Sequence, residues 1–321
     1  MAQEHSDRHT HVDYLRLSVT DRCNLRCRYC MPAEGVPPRS HADILSYEEL
    51  VAFTRVAVAA GISKVRITGG EPLVRKGLTG FVAALAAVPG IADIALTTNA
   101  LLLPRLAGEL RAAGLQRVNI SIDSLRPERY AAITRGGKLA DALAGLGAAQ
   151  EAGFTPLKLN VVLLPGVEDE LADFVALTRD QGIHVRFIEY MPLDRRYVEG
   201  DGFVPAALVL ERLRSTYRLT PAERPYGHGP ATYWRVGDAP GTLGFIAGVS
   251  DHFCATCTRL RLTADGRLKT CLFSGEEIDV RPLIARPDEL AAVLLQALRG
   301  KTFDKRAERL ANQRAMSQIG G

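Results

Sequence analysis

Six cysteines, grouped in two triplets, are the residues of this 321-residue chain whose type and spacing could do chemistry. Cys23, Cys27 and Cys30 form Cys-x3-Cys-x2-Cys. Cys254 and Cys257 form Cys-x2-Cys, and thirteen residues separate Cys257 from Cys271. An even count would allow disulfides in a secreted protein, but closely spaced cysteines in a chain of this size read as metal ligands. Four thiolates would close a tetrahedral zinc site. Three thiolates on a [4Fe–4S] cube leave one iron without a protein ligand, open to a substrate or cofactor. For the first triplet the rival of the cube is a zinc knuckle completed by a distant residue such as His41. For the second, zinc or a redox pair competes with a second open cube, and the presence of the first triplet favours the cube.

Ligands need elements to hold them, and the chain supplies alternating strands and helices. Strands are predicted at Tyr14–Val19, Lys64–Thr68, Ile94–Thr97, Arg117–Ile122, Leu157–Leu163 and Val185–Glu189. Helices between and after them are predicted at Tyr47–Ala60, Leu78–Ala87, Pro104–Ala113, Leu139–Ala152, Asp169–Gln181 and Pro205–Thr216. The alternation implies an α/β fold with parallel strands and six βα units, short of a full TIM barrel. Residues 1–12 read as a disordered tail, 13–216 as a partial barrel and 217–321 as a smaller C-terminal region closing the barrel mouth. In that last region short strands are predicted at Tyr233–Val236, Leu243–Ile246 and Arg259–Thr263, with a helix at Asp288–Leu298.

Parallel strands covered on both faces normally read as nearly continuous apolar runs. These instead carry a polar residue at alternate positions, as in Leu15-Arg16-Leu17-Ser18, Val65-Arg66-Ile67-Thr68 and Leu157-Lys158-Leu159-Asn160. With period-two alternation, the apolar set faces the helices and the polar set faces inward. A charged interior is costly unless paired or solvated, so the pattern predicts a cavity for a charged ligand. Arg259 and Arg261 alternate in the same way, and arginine suits phosphate. An antiparallel sheet with one solvated face is the plainer alternative.

The bulk composition excludes little. The formal charge of +4 does not call for nucleic acid or an anionic membrane. The sequence has no apolar run of the roughly 18 residues needed for a membrane-spanning helix. The polar N-terminus lacks the apolar core of a signal peptide, which makes the cytoplasm the expected location.

The first triplet, with Tyr29 before its last cysteine, resembles the radical S-adenosylmethionine superfamily, whose fold is a partial (β/α)6 barrel. Gly69-Gly70-Glu71-Pro72 after the second strand resembles that superfamily's site for the methionine amino group. Over nearly the whole chain the resemblance narrows to the GTP 3′,8-cyclase family of molybdenum cofactor biosynthesis. The narrowing rests on the second triplet with Arg259-Leu260-Arg261 and on the terminal Gly320-Gly321. The resemblance implies two [4Fe–4S] clusters, on Cys23, Cys27 and Cys30 and on Cys254, Cys257 and Cys271, and S-adenosylmethionine at Tyr29, Gly70, Ser121 and Met191. It implies GTP at Arg16, Arg66, Thr97, Lys158, Arg259, Leu260 and Arg261, and a Gly320-Gly321 tail that enters the active site. It also implies a reducing electron donor and transfer of the product to cyclic pyranopterin monophosphate synthase, in a monomer or homodimer. A radical enzyme with an auxiliary cluster acting on a peptide is the nearest alternative, and a zinc or nucleic-acid-binding module the more distant one. The chain departs from the family's usual pattern at Ala100, where glycine normally follows Thr-Thr-Asn.

Overall fold

The computed structural model describes residues 12–37, 39–193, 202–225, 229–251, 253–301 and 314–320. The first half alternates as expected. Strands β1 (Tyr14–Ser18), β2 (Lys64–Thr68), β3 (Asp93–Thr98), β4 (Arg117–Ser121), β5 (Lys158–Leu163) and β6 (His184–Glu189) lie within a residue of the predicted limits. Helices α1 (Tyr47–Ala59), α2 (Leu78–Ala86) and α3 (Leu103–Ala112) follow the first three. Two helices, α4 (Pro127–Thr134) and α5 (Leu139–Glu151), separate β4 from β5, and α6 (Leu171–Asp180) and α7 (Ala206–Thr216) complete the set. Local chemistry sets the boundaries. Ser46 accepts from the Glu49 amide while Glu49 accepts from the Ser46 amide, a reciprocal cap that starts α1.

The short α4 is absent from the sequence reading. Pro127 fits the first turn of a helix but reads equally as a turn residue, and eight residues give little periodicity. The C-terminal region adds β7 (Leu219–Ala222), β8 (Thr232–Val236), β9 (Leu243–Ile246), β10 (Arg259–Leu262), β11 (Arg267–Lys269), β12 (Ile278–Asp279) and α8 (Pro287–Arg299).

All the strands form one sheet in the order β12-β11-β10-β1-β2-β3-β4-β5-β6-β9-β8-β7. The segment from β10 to β9 is wholly parallel. The C-terminal region does more than the sequence pattern specifies. Its strands extend both edges of the six-stranded core, β10 beside β1 and β9 beside β6. An open edge exposes unpaired amides and carbonyls, and these strands satisfy them. Among the described residues no hydrogen-bonded pairing joins β12 to β7, so the sheet they form is not closed.

Leu15, Leu17, Val65, Ile67, Val118 and Phe187 point outward and pack with Phe53, Phe81 and Phe174 in a continuous core. The inner face carries Arg16, Arg66, Asn119, Asn160 and Arg186, all buried. Residues 1–11 of the expected tail lie outside the described residues, while its last residue, Val12, packs into the core.

Candidate active site inside the open barrel

The first triplet sits on the loop after β1, at the C-terminal ends of the parallel strands. Three supports hold this loop. The end of α4 accepts two of its amides, Arg26 N to Thr134 O (3.1 Å) and Arg28 N to Ile133 O (3.0 Å). Arg135, in the left-handed region at φ 56°, donates to the carbonyls of Met31 (2.9 Å) and Arg26 (3.3 Å). The loop after β2 lies directly against the cysteine loop, with Gly70 N donating to Thr20 O and Glu71 N to Arg22 O, both at 2.8 Å. A Cβ on Gly70 would stand 2.4 Å from Arg22 O, so this approach requires glycine.

Two buried carboxyls brace the same rim. Glu71 accepts from Thr98 Oγ1 (2.7 Å) and from the amides of Asn99 and Leu73, and burial pushes it up to about 7. Asp123 accepts from the Tyr29 hydroxyl (2.7 Å) and the Val162 amide (2.8 Å), and burial pushes it up to about 6. Burial also raises the thiols, Cys23 to about 11 and Cys30 to about 12. Such buried thiols become thiolates only when bound to a metal, which fits a cluster site.

The second triplet lies at the other end of the barrel. Cys254 and Cys257 come just before β10, and Cys271 just after the antiparallel β11. Because β10 runs parallel to β1, its start lies opposite the rim that carries Cys23. Lys301 ties this end together, donating to Arg259 O (2.7 Å) and Thr270 O (2.6 Å). Burial acts to raise the Cys257 thiol, but Arg259 and Lys301 outweigh it and bring the thiol down to about 7.

A cavity of about 600 Å³ joins the two ends, and all six cysteines line it. Its wall includes Arg16, Arg66, Thr97, Ser121, Asn160 and Arg186. Buried polar atoms on that wall lack protein partners, among them Arg66 Nε, Thr97 Oγ1, Asn160 Oδ1 and Arg186 Nε. Buried polar groups are nearly always satisfied, so this wall fits a polar ligand. It is also strongly cationic. Burial, with Arg261 and Arg66 nearby, holds Arg16 well below its ordinary value. Burial, with Arg186, Arg117 and Arg66 nearby, pushes Lys158 down to about 6. A polyanion would relieve this repulsion.

The C-terminal segment enters the barrel from the first rim. Met316 N donates to Cys30 O (3.2 Å). The Gly320 carbonyl accepts from Arg16 Nη2 (2.9 Å) and Arg261 Nη1 (3.3 Å). Gly320 has φ 77°, and a Cβ there would stand 2.5 Å from Thr68 Oγ1, so both conformation and space call for glycine.

Most of the predicted site residues meet at this cavity: the six cysteines, Tyr29, Gly70, Ser121, Met191, Arg16, Arg66, Thr97, Arg259 and Arg261. Four predicted positions do not line it, Gly320 among them although its carbonyl meets Arg16 and Arg261. The Leu260 side chain lies in the core, as period-two alternation between Arg259 and Arg261 requires. Lys158 is buried off the cavity wall and donates to Pro225 O (3.2 Å). Gly321 lies outside the described residues. His41, the ligand of the zinc alternative, is exposed and does not line the cavity. Arg186 and Asn160, inward-facing by the alternation of β6 and β5 but not among the expected ligand contacts, also line the cavity.

The fold and site define a class. Residues 17–178 match the Radical SAM superfamily and residues 183–308 match Molybdenum Cofactor Synthesis C. The crystal structure of Streptococcus suis SuiB bound to S-adenosylmethionine is similar in fold, with a TM-score of 0.68 at 15% identity, covering 91% of this chain and 68% of that one. A second SuiB structure, bound to precursor peptide SuiA, has a TM-score of 0.65 at 14% identity and likewise bears on the fold alone. Curated relatives are far more similar in sequence. The GTP 3′,8-cyclase of Geobacter sulfurreducens is 53% identical over 289 residues, 90% of this chain and 88% of the relative. That of Moorella thermoacetica is 49% identical over 315 residues, 97% and 98% of the two chains. The chain belongs to the GTP 3′,8-cyclase family.

Proposed function

We propose that the two-ended cavity is the chamber in which this radical S-adenosylmethionine enzyme converts GTP to (8S)-3′,8-cyclo-7,8-dihydroguanosine 5′-triphosphate, the first step of molybdenum cofactor biosynthesis. The observation that carries it is the placement of three thiols at each end of one cavity whose wall between them is cationic. A cluster held by the first triplet would supply one electron to bound S-adenosylmethionine, whose cleavage would give a carbon radical able to take hydrogen from the ribose.

The chain's own residues bind, orient and exclude water. Cys23, Cys27 and Cys30 hold the first cluster, and Cys254, Cys257 and Cys271 the second. Tyr29, Gly70, Ser121 and Met191 line the half of the wall near the first rim and hold S-adenosylmethionine. Gly248 makes room for Met191, since a Cβ there would stand 2.7 Å from Met191 Cε. Arg16, Arg66, Thr97, Arg259 and Arg261 hold GTP, with Arg186 added by the geometry and Leu260 limited to its backbone. Lys158 acts from behind the wall residues, as a positive charge toward the triphosphate. Gly320-Gly321 seals the chamber against water that would quench a radical.

Residues 13–216 form the barrel and 217–321 the auxiliary-cluster region, within one continuous sheet. Among the described residues no helix is long and apolar enough to cross a membrane. The proposed setting is the cytoplasm, without nucleic acid or membrane, as a monomer or homodimer. A reducing donor feeds the first cluster, and the product passes to cyclic pyranopterin monophosphate synthase.

Anaerobic incubation of reduced, cluster-loaded protein with GTP and S-adenosylmethionine is expected to give the cyclised triphosphate with 5′-deoxyadenosine. Deoxyadenosine without cyclised GTP would sink the substrate assignment. Lys158→Ala is expected to weaken GTP binding by about tenfold or more, the loss typical of a charge-assisted contact, while leaving S-adenosylmethionine binding intact. Equal loss of both ligands would remove Lys158 from the GTP site.

A further inference from the structure

Chain termini are usually frayed unless something ties them down. Here the segment from Arg314 to Gly320 descends into the barrel, and Arg314 at its head is gripped by a charged network. Arg314 donates from Nη1 to Asp265 Oδ1 (2.9 Å) and from Nη2 to Asp265 Oδ2 (3.0 Å), a bidentate pair. Its Nη2 also reaches Glu277 Oε2 (2.6 Å). The side chains of Asp265 and Arg314 are only 8% and 16% exposed, so this is not a solvated surface pair.

Asp265 occupies the turn between β10 and β11 and accepts from Thr263 Oγ1 (2.6 Å). Its Oδ2 has a second cationic partner, Arg39 Nη2 at 3.0 Å. The Arg39 amide donates to Asp21 Oδ2 (3.2 Å), and Arg22 Nη2 donates to Arg39 O (3.3 Å). Asp21 and Arg22 come immediately before Cys23. One carboxylate therefore connects the terminal segment, the strand that leads up from the second triplet, and the loop of the first.

We infer that Arg314, held by Asp265 and Glu277, is the positioning residue that seats the terminal segment in the reaction chamber. The inference rests on the proposed part of Gly320-Gly321 in the reaction. Six residues beyond Arg314, the Gly320 carbonyl meets Arg16 and Arg261, two of the proposed triphosphate ligands. Between these anchors, Met316 bonds to Cys30 O and Ile319 is buried. A buried bidentate pair is geometrically exacting, and losing one partner leaves the other charge uncompensated. With the head released, the contacts of Met316, Ile319 and Gly320 would alone have to offset the ordering of the segment.

The test uses full-length, cluster-loaded protein under anaerobic conditions, comparing Arg314→Gln, Arg314→Lys and Asp265→Asn with a control chain lacking residues 319–321. Hydrogen exchange of the amides from Met316 to Gly320 reads the seat directly, and kcat and KM for GTP read its consequence. Arg314→Gln and Asp265→Asn are each expected to lose amide protection by about tenfold or more. Their kcat should fall about tenfold or more, with KM for GTP changing less than about threefold. Arg314→Lys, which keeps the charge and loses the fork, should fall between. Retained protection in both Arg314→Gln and Asp265→Asn overturns the inference, as does a rise in KM with kcat unchanged. If the chain lacking residues 319–321 keeps its full kcat, the proposed part of Gly320-Gly321 fails instead, whatever the exchange data say of the seat.

Discussion

Ala100 shows how closely opposing terms can balance at one residue. It has φ 69° where the family pattern has glycine, and an L-residue in that region costs about 1–2 kcal/mol. Its methyl is fully buried, worth about 0.8 kcal/mol, and glycine would cost about 0.5–1 kcal/mol in chain entropy. Ala100→Gly is therefore expected to change stability by less than about 1 kcal/mol, read from urea unfolding midpoints. Its neighbour on α5 has no such latitude. A Cβ on Gly145 would stand 2.1 Å from Ala100 O, so Gly145→Ala should destabilise by about 1–3 kcal/mol. Lys158 carries a pH signature. Its ordinary value is 10.5, and burial beside Arg186, Arg117 and Arg66 brings it down to about 6. Between those values the unfolded chain holds a proton that the folded protein lacks, so stability rises with pH across that window. GTP should restore the proton, and calorimetry at pH 8 in buffers of different ionisation heat should record uptake approaching about one proton per GTP bound. That uptake should vanish in Lys158→Ala.

Among the elements, α4 matters more than its length suggests. It receives the cysteine loop at Ile133 and Thr134 and places Arg135 to bind the carbonyls on either side of Cys27 and Cys30. Residues that orient metal ligands typically contribute about 10–100-fold to metal retention. Arg135→Ala is thus expected to lose iron to a chelator about tenfold faster, with an unchanged far-ultraviolet circular dichroism spectrum. Unchanged iron release would show that the loop carries itself. This helix was hard to read in the sequence because eight residues give little periodicity and Pro127 suits a turn as well as a first helical turn. The long helices and inner strands were legible because burial imposes period 3.6 or period 2 on side-chain polarity.

For the whole molecule, the decisive feature is that residues after 217 supply both flanks of the sheet. Without them β1 and β6 would each present an unpaired parallel edge, a template for aggregation. A chain of residues 13–216 alone is expected to elute as aggregate in size-exclusion chromatography. Restoring 217–321 on a separate chain should rescue a discrete species only if both β9 and β10 can dock. The same topology sets the distance between the two triplets. Each belongs to a loop at an opposite end of paired parallel strands, β1 and β10, so strand length determines how far apart the ends of the chamber lie.

The sequence by itself determined the chemistry and the inward set of side chains. Cysteine spacing is local, and alternation along a strand is a property of the chain that no packing can hide. It could not decide which wall residues share one ligand, or that Lys158 stands off the chamber wall. Those depend on the register between strands far apart in sequence, such as Arg16 beside both Arg66 and Arg261. Nor could it show that the Gly320 carbonyl, 304 residues away, meets Arg16, because that contact exists only in the folded chain.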